Sequence, residues 1–128
     1  MTVSAPAYLT LPIDADEGFP QAFRLALGSR AYRVTLYVNL LDEEGRSDDE
    51  TVYDLARDPR AFMVMAVRRE SPAPGEEIFR RRLVVEHEYA AAELGFLFKE
   101  LRVDRRNLGG VGSFGSSVLG GVATRWAS

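Results

Sequence analysis

The sequence predicts a mainly β domain: a small antiparallel barrel or sandwich with a short helical turn and a glycine-rich C-terminal tail. Three observations predict it. Apolar and polar residues alternate through several short runs, turn-forming residues separate those runs, and the one strongly helix-prone stretch, Tyr89 to Leu94, is brief. At 128 residues and 46% hydrophobic content the chain is one domain's worth of folded core.

Taken in order, Tyr8 to Ile13 predicts an edge strand or extended arm, because Pro12 has no N–H to give a ladder. Phe23, Leu25 and Leu27 alternate with Arg24 and Ala26. After Gly28-Ser29-Arg30 the alternation resumes as Tyr32, Val34, Leu36, Val38 and Leu40. That pattern is a hairpin with an apolar face inward and Arg24, Arg33, Thr35, Tyr37 and Asn39 outward. Thr51 to Arg57 predicts a helical turn stopped by Pro59. Ala61 to Val67 is apolar on both faces, as a central strand is.

Ser71 to Gly75 is a turn by composition. Ile78 to Tyr89 reads as one long strand, with Phe79, Leu83, Val85, His87 and Tyr89 on one face and Arg80, Arg82, Glu86 and Glu88 on the other. Tyr89 to Leu94 then predicts a helical turn closed by Gly95, and Phe96 to Val103 a further strand. This alternation places Leu25, Leu36, Val38, Val64 and Val85 in the core.

From residue 108 onward the composition changes. Gly109, Gly110, Gly112, Gly115, Gly120 and Gly121 are interspersed with Val111, Phe114, Val118, Leu119, Val122 and Trp126. A flexible linker lacks such large apolar groups. Each stabilises by about 1.5–3 kcal/mol only when buried. The expected organisation is therefore a β domain over residues 1–107 and a docking tail over 108–128, ordered by contact with a partner. Its candidate partner-binding residues are Arg105, Arg106, Phe114, Leu119, Arg125 and Trp126. The competing reading makes the tail the last strand of its own sheet.

The net charge of −3 is unevenly spread: Asp42 to Glu50 holds six acids and Arg46, whereas no acid follows Asp104. Ends of opposite sign suit contacts between copies or partners. No cysteine is present, so neither a disulfide nor a thiolate metal site is available. No basic-then-apolar leader opens the chain, and no apolar run nears the roughly 20 residues of a membrane helix, so a soluble protein made inside the cell is expected.

Few residues suggest chemistry. His87 is the single histidine, and on a strand it points away from Glu86 and Glu88, so a structural role on a half-buried face is expected. The acidic 42–50 stretch lacks the ligand order of a calcium loop. The glycines are not a phosphate loop, since Lys99 is the only lysine. No cofactor, no metal and no enzymatic activity are expected. The alternative is a small β-barrel that binds single-stranded nucleic acid or a small ligand, with Arg68, Arg69, Arg80, Arg81, Arg82 and exposed tyrosines placed to stack bases. The negative net charge and the absence of aromatics interleaved with those arginines along the chain argue against it.

The hairpin Phe23-Arg24-Leu25-Ala26-Leu27-Gly28-Ser29-Arg30-Ala31-Tyr32-Arg33-Val34-Thr35-Leu36-Tyr37-Val38-Asn39 and the later Glu100-Leu101-Arg102-Val103-Asp104-Arg105-Arg106-Asn107-Leu108-Gly109 carry a resemblance. Together they resemble the plug domain of contractile-tailed phage baseplates, typified by a cyanophage baseplate, from about Ile13 to Leu119. Phe62 and Met63 stand where that family usually has a tryptophan. The resemblance implies a non-enzymatic virion protein of the tail, made in the host cytoplasm. Its implied partners are tube, hub or spike proteins or copies of itself, without a membrane.

Overall fold

A computed structural model describes residues 8–41, 52–55, 57, 61–71, 75–108 and 116–124. The chain forms strands β1 (Leu9–Thr10), β2 (Gln21–Leu27), β3 (Arg30–Leu40), β4 (Val52–Asp54), β5 (Ala61–Ser71), β6 (Glu77–Arg82), β7 (Glu88–Ala91), β8 (Leu94–Asp104) and β9 (Ser117–Thr124). Two single 3-10 turns, Ala15–Glu17 and Arg105–Asn107, are the helical elements among the described residues. The mainly β class is as the sequence predicts. The strands form two antiparallel sheets and no closed barrel.

One sheet runs β2-β3-β5-β6 and the other β1-β9-β8-β4, with β7 also paired to β8. The expected hairpin is β2 and β3, in register from Gln21 opposite Leu36 to Leu27 opposite Arg30. Gly28 makes its turn at φ +63°, a left-handed conformation that glycine adopts without strain. The expected central strand is β5, flanked by β3 and β6. The edge strand near Pro12 is β1, with Leu9 opposite Val122.

The inner faces share one cluster, in which Phe19, Tyr32, Leu36, Met63, Met65, Phe96, Phe98 and Leu101 are almost wholly buried. Burial of each contributes about 1.5–3 kcal/mol. Phe79 of β6 sits edge-on to Tyr89 at 5.8 Å and tilted against Phe96 at 6.4 Å, so aromatic contacts bridge the sheets. Leu25, Leu36 and Val64 are buried, while Val38 and Val85 are half-buried against the core. Leu25, Leu36 and Val38 thus face inward as the alternation predicts, while Val64 is buried on the opposite face of β5, between Tyr37 and Arg82.

Five expectations need correction. The helical turn expected at Thr51 to Arg57 is instead β4 over Val52–Asp54, paired with residues 102–104 of β8, and Tyr53 and Leu55 are buried. The long strand expected from Ile78 to Tyr89 is broken: β6 ends at Arg82, and Leu83 to His87 carry the chain across to the other sheet. Tyr89 holds that crossing, its hydroxyl donating to the Arg82 carbonyl at 3.0 Å and accepting from the Val84 N–H at 2.8 Å. His87 is exposed rather than half-buried, edge-on to the Tyr89 ring at 4.5 Å.

The helical turn expected at Tyr89 to Leu94 is a β-hairpin, with β7 and β8 joined through Ala92 and Glu93. A segment that short gains too little from alanine propensity to nucleate a helix, whereas alternate burial of Tyr89 and Ala91 favours pairing.

The expected boundary at residue 108 falls inside the fold. Ser117–Thr124 is β9, paired along β8 and β1, and Val118 and Val122 lie in the shared core. Val118 and Val122 of the expected tail are thus buried by the chain itself, whereas Leu119 stays exposed. A Cβ on Gly120 would lie 2.5 Å from the Phe98 ring, so the glycine is what lets that ring lie over β9.

Candidate functional site

Three places concentrate polar or exposed chemistry. The first is a tie between the sheets. Glu93, on the β7–β8 turn, accepts from the Tyr32 hydroxyl of β3 and pairs with Arg30 at 3.2 Å and with Arg69 of β5 through Nε at 3.3 Å. Its side chain is 9% exposed. Burial pushes its pKa up, but hydrogen bonds from Arg69 and Tyr32 outweigh burial and hold it down at about 2. Burial and the neighbouring Glu93 carboxylate raise the Tyr32 pKa, keeping the phenol protonated as a donor. These groups satisfy one another across two sheets, which is a structural role.

The second place is the outer face of the β1-β9-β8-β4 sheet. Tyr8, Thr10, Leu97, Lys99, Leu119, Gly120 and Gly121 line a groove of about 250 Å³. Tyr8 packs against Gly121, where a Cβ would lie 2.8 Å from its own, and its hydroxyl donates to Glu88 of β7. Leu119 is 48% exposed, whereas Leu9 of the edge strand, 59% exposed, stands opposite Val122 and so on the other face of the sheet. Large apolar groups grouped around a groove on an open sheet face favour a contact surface.

The third place is the outer face of the other sheet. In successive rows across it lie Arg24, Arg33 and Arg68; then Thr35, Ala66 and Arg80; then Tyr37, Val64 and Arg82; then Asn39 and Phe62. Arg80 reaches over the Tyr37 ring, 5.7 Å from its centroid, and donates to its hydroxyl at 2.6 Å. Arg82 lies 4.9 Å above the Phe62 ring. Glu77 grips Arg80 at 2.7 Å, which lowers the Glu77 pKa, and Glu70 pairs with Arg24 at 3.4 Å and Arg33 at 3.8 Å. A groove of about 300 Å³ opens between Arg33, Arg68 and Arg80, floored by Thr35 and Ala66.

The residues predicted as partner-binding fare differently. Leu119 lies in the apolar groove. The Arg106 guanidinium is held by Asp104 at 3.0 Å, which lowers the Asp104 pKa, and the same carboxylate caps the 3-10 turn by accepting from the Arg106 backbone N–H at 2.8 Å. Arg105 belongs to the same turn, with Nη1 buried and lacking a hydrogen bond among the described residues. Both arginines follow β8 directly as part of the fold. Phe114, Arg125 and Trp126 lie outside the described residues, as does the acidic 42–50 stretch.

Tyr8, Leu97, Tyr37 and Phe62 were not singled out as site residues from the sequence. Their strand parity carried the signal, because each sits on the outward phase of its strand.

Among the described residues no three His, Asp or Glu side chains are grouped to hold a metal ion, and no helix is long and apolar enough to cross a membrane. A scan against protein-family models, a search of curated proteins and a search of solved structures each gave no match.

Proposed function

We propose that the chain is a non-enzymatic structural component of a bacteriophage tail or baseplate, a plug or tail-tip protein that contacts tube, hub or spike proteins. The observation that carries this reading is the apolar groove at Leu119, Leu97 and Tyr8, with Leu119 exposed in it. Such a patch on one face of two tied sheets favours contact with another protein surface. The resemblance of the β2–β3 hairpin and of the Glu100–Gly109 segment to baseplate plug domains supports the same reading and supplies the class of partner. On this reading the protein is made in the host cytoplasm and resides in the virion tail. Mass spectrometry of purified phage tails tests it. The protein should be present at a fixed ratio to the tail proteins, and its absence from intact tails contradicts the assignment.

A further inference from the structure

The outer face of the β2-β3-β5-β6 sheet lies away from the apolar groove and has a different chemistry. We propose that this face binds single-stranded nucleic acid, with Arg24, Arg33, Arg68, Arg80 and Arg82 meeting phosphates and Tyr37 and Phe62 stacking bases. Five guanidinium groups share the face with two carboxylates, Glu70 and Glu77, in a chain whose net charge is −3. Positive charge is thus concentrated where the molecule as a whole is negative, which complements a polyanion.

The rings distinguish this occupant from an acidic polypeptide, which needs cations alone. Along the sequence the aromatics stand apart from the arginines. The sheet interleaves them: Tyr37 on β3 and Phe62 on β5 come under Arg80 and Arg82 of β6. Val64 and Ala66 between them are small enough for Arg80 to reach across β5 to Tyr37. The result is a face on which rings and guanidinium groups alternate beside a groove lined by Arg33, Arg68, Arg80 and Glu77, an arrangement on which unpaired bases stack while their backbone is neutralised. Glu77 competes with a phosphate for Arg80, so it limits affinity.

Fluorescence anisotropy of a labelled twenty-nucleotide oligothymidine with the full chain tests the proposal. With about four phosphates neutralised, affinity should fall about 50-fold between 50 and 200 mM salt. Arg33→Gln and Arg68→Gln should each weaken binding and flatten the salt slope by about 0.7. Phe62→Ala should weaken it by about fivefold or more, and Glu77→Gln should strengthen it. Arg102→Gln, on the outer face of the other sheet, should change nothing. Thermal melts matching the unsubstituted chain exclude misfolding of the exposed arginine variants, which carry the test if Phe62→Ala unfolds. No binding at 50 mM salt overturns the proposal, as does binding indifferent to Arg33→Gln and Arg68→Gln. Equal or tighter binding of polyglutamate, unaffected by Phe62→Ala in a folded variant, also overturns it in favour of an acidic protein partner.

Discussion

Protonating Glu93 removes the shared partner of Arg30, Arg69 and Tyr32 in one step. Its folded pKa of about 2 lies below its ordinary 4.5, so its contribution is fully present above pH 4.5 and is lost as pH falls toward 2. The shift sets a ceiling of about 3 kcal/mol, reduced to about 1–2 kcal/mol by solvent around the half-exposed guanidinium groups. Glu93→Gln should lower stability at pH 7 by that amount and flatten its dependence between pH 4.5 and 2. Urea unfolding at several pH values measures both, and a variant with an unchanged slope contradicts the tie.

Gly120 makes a second prediction. Because Phe98 is fully buried and its ring lies 2.5 Å from where a Cβ would stand, Gly120→Ala should cost about 1–3 kcal/mol through overpacking. An unchanged urea midpoint would show that the ring moves aside freely.

β9 is the element whose role differs most from the expectation. Truncation after Asn107 removes the strand between β1 and β8 and takes Val118 and Val122 from the core, so cooperative unfolding should be lost. A truncated chain that still melts cooperatively would restore the docking-tail reading. β2 and β3 were legible because burial of one face fixes both period and register, and β5 because its run is apolar on both faces, as in a central strand. β7 and β4 were not, because alanine propensity and a following proline mimic helix signals until tertiary pairing overrides them. β9 was hidden for a related reason: its glycines read as backbone freedom, whereas Gly120 and Gly121 admit the Phe98 ring and Tyr8. Leu119, a candidate contact residue from the sequence, is exposed in the groove. The Glu93 tie was not legible, because Arg30, Arg69 and Glu93 come from separate strands and a turn that only the folded sheets bring together.

The molecule as a whole has two sheets around a shared core, and their outer faces differ in chemistry, one apolar around Leu119 and the other rich in arginine and aromatic rings. Such a division lets one face seat the protein in an assembly while the other stays open. The seating face is the central claim, and Leu119→Asp tests it most directly. The side chain points outward from β9, so the variant should keep the melting temperature of the unsubstituted chain within a few degrees. Competed against the unsubstituted protein during tail assembly and counted by mass spectrometry of the purified particles, it should be largely excluded. Incorporation of a folded Leu119→Asp chain at the same ratio as the unsubstituted protein would contradict the account.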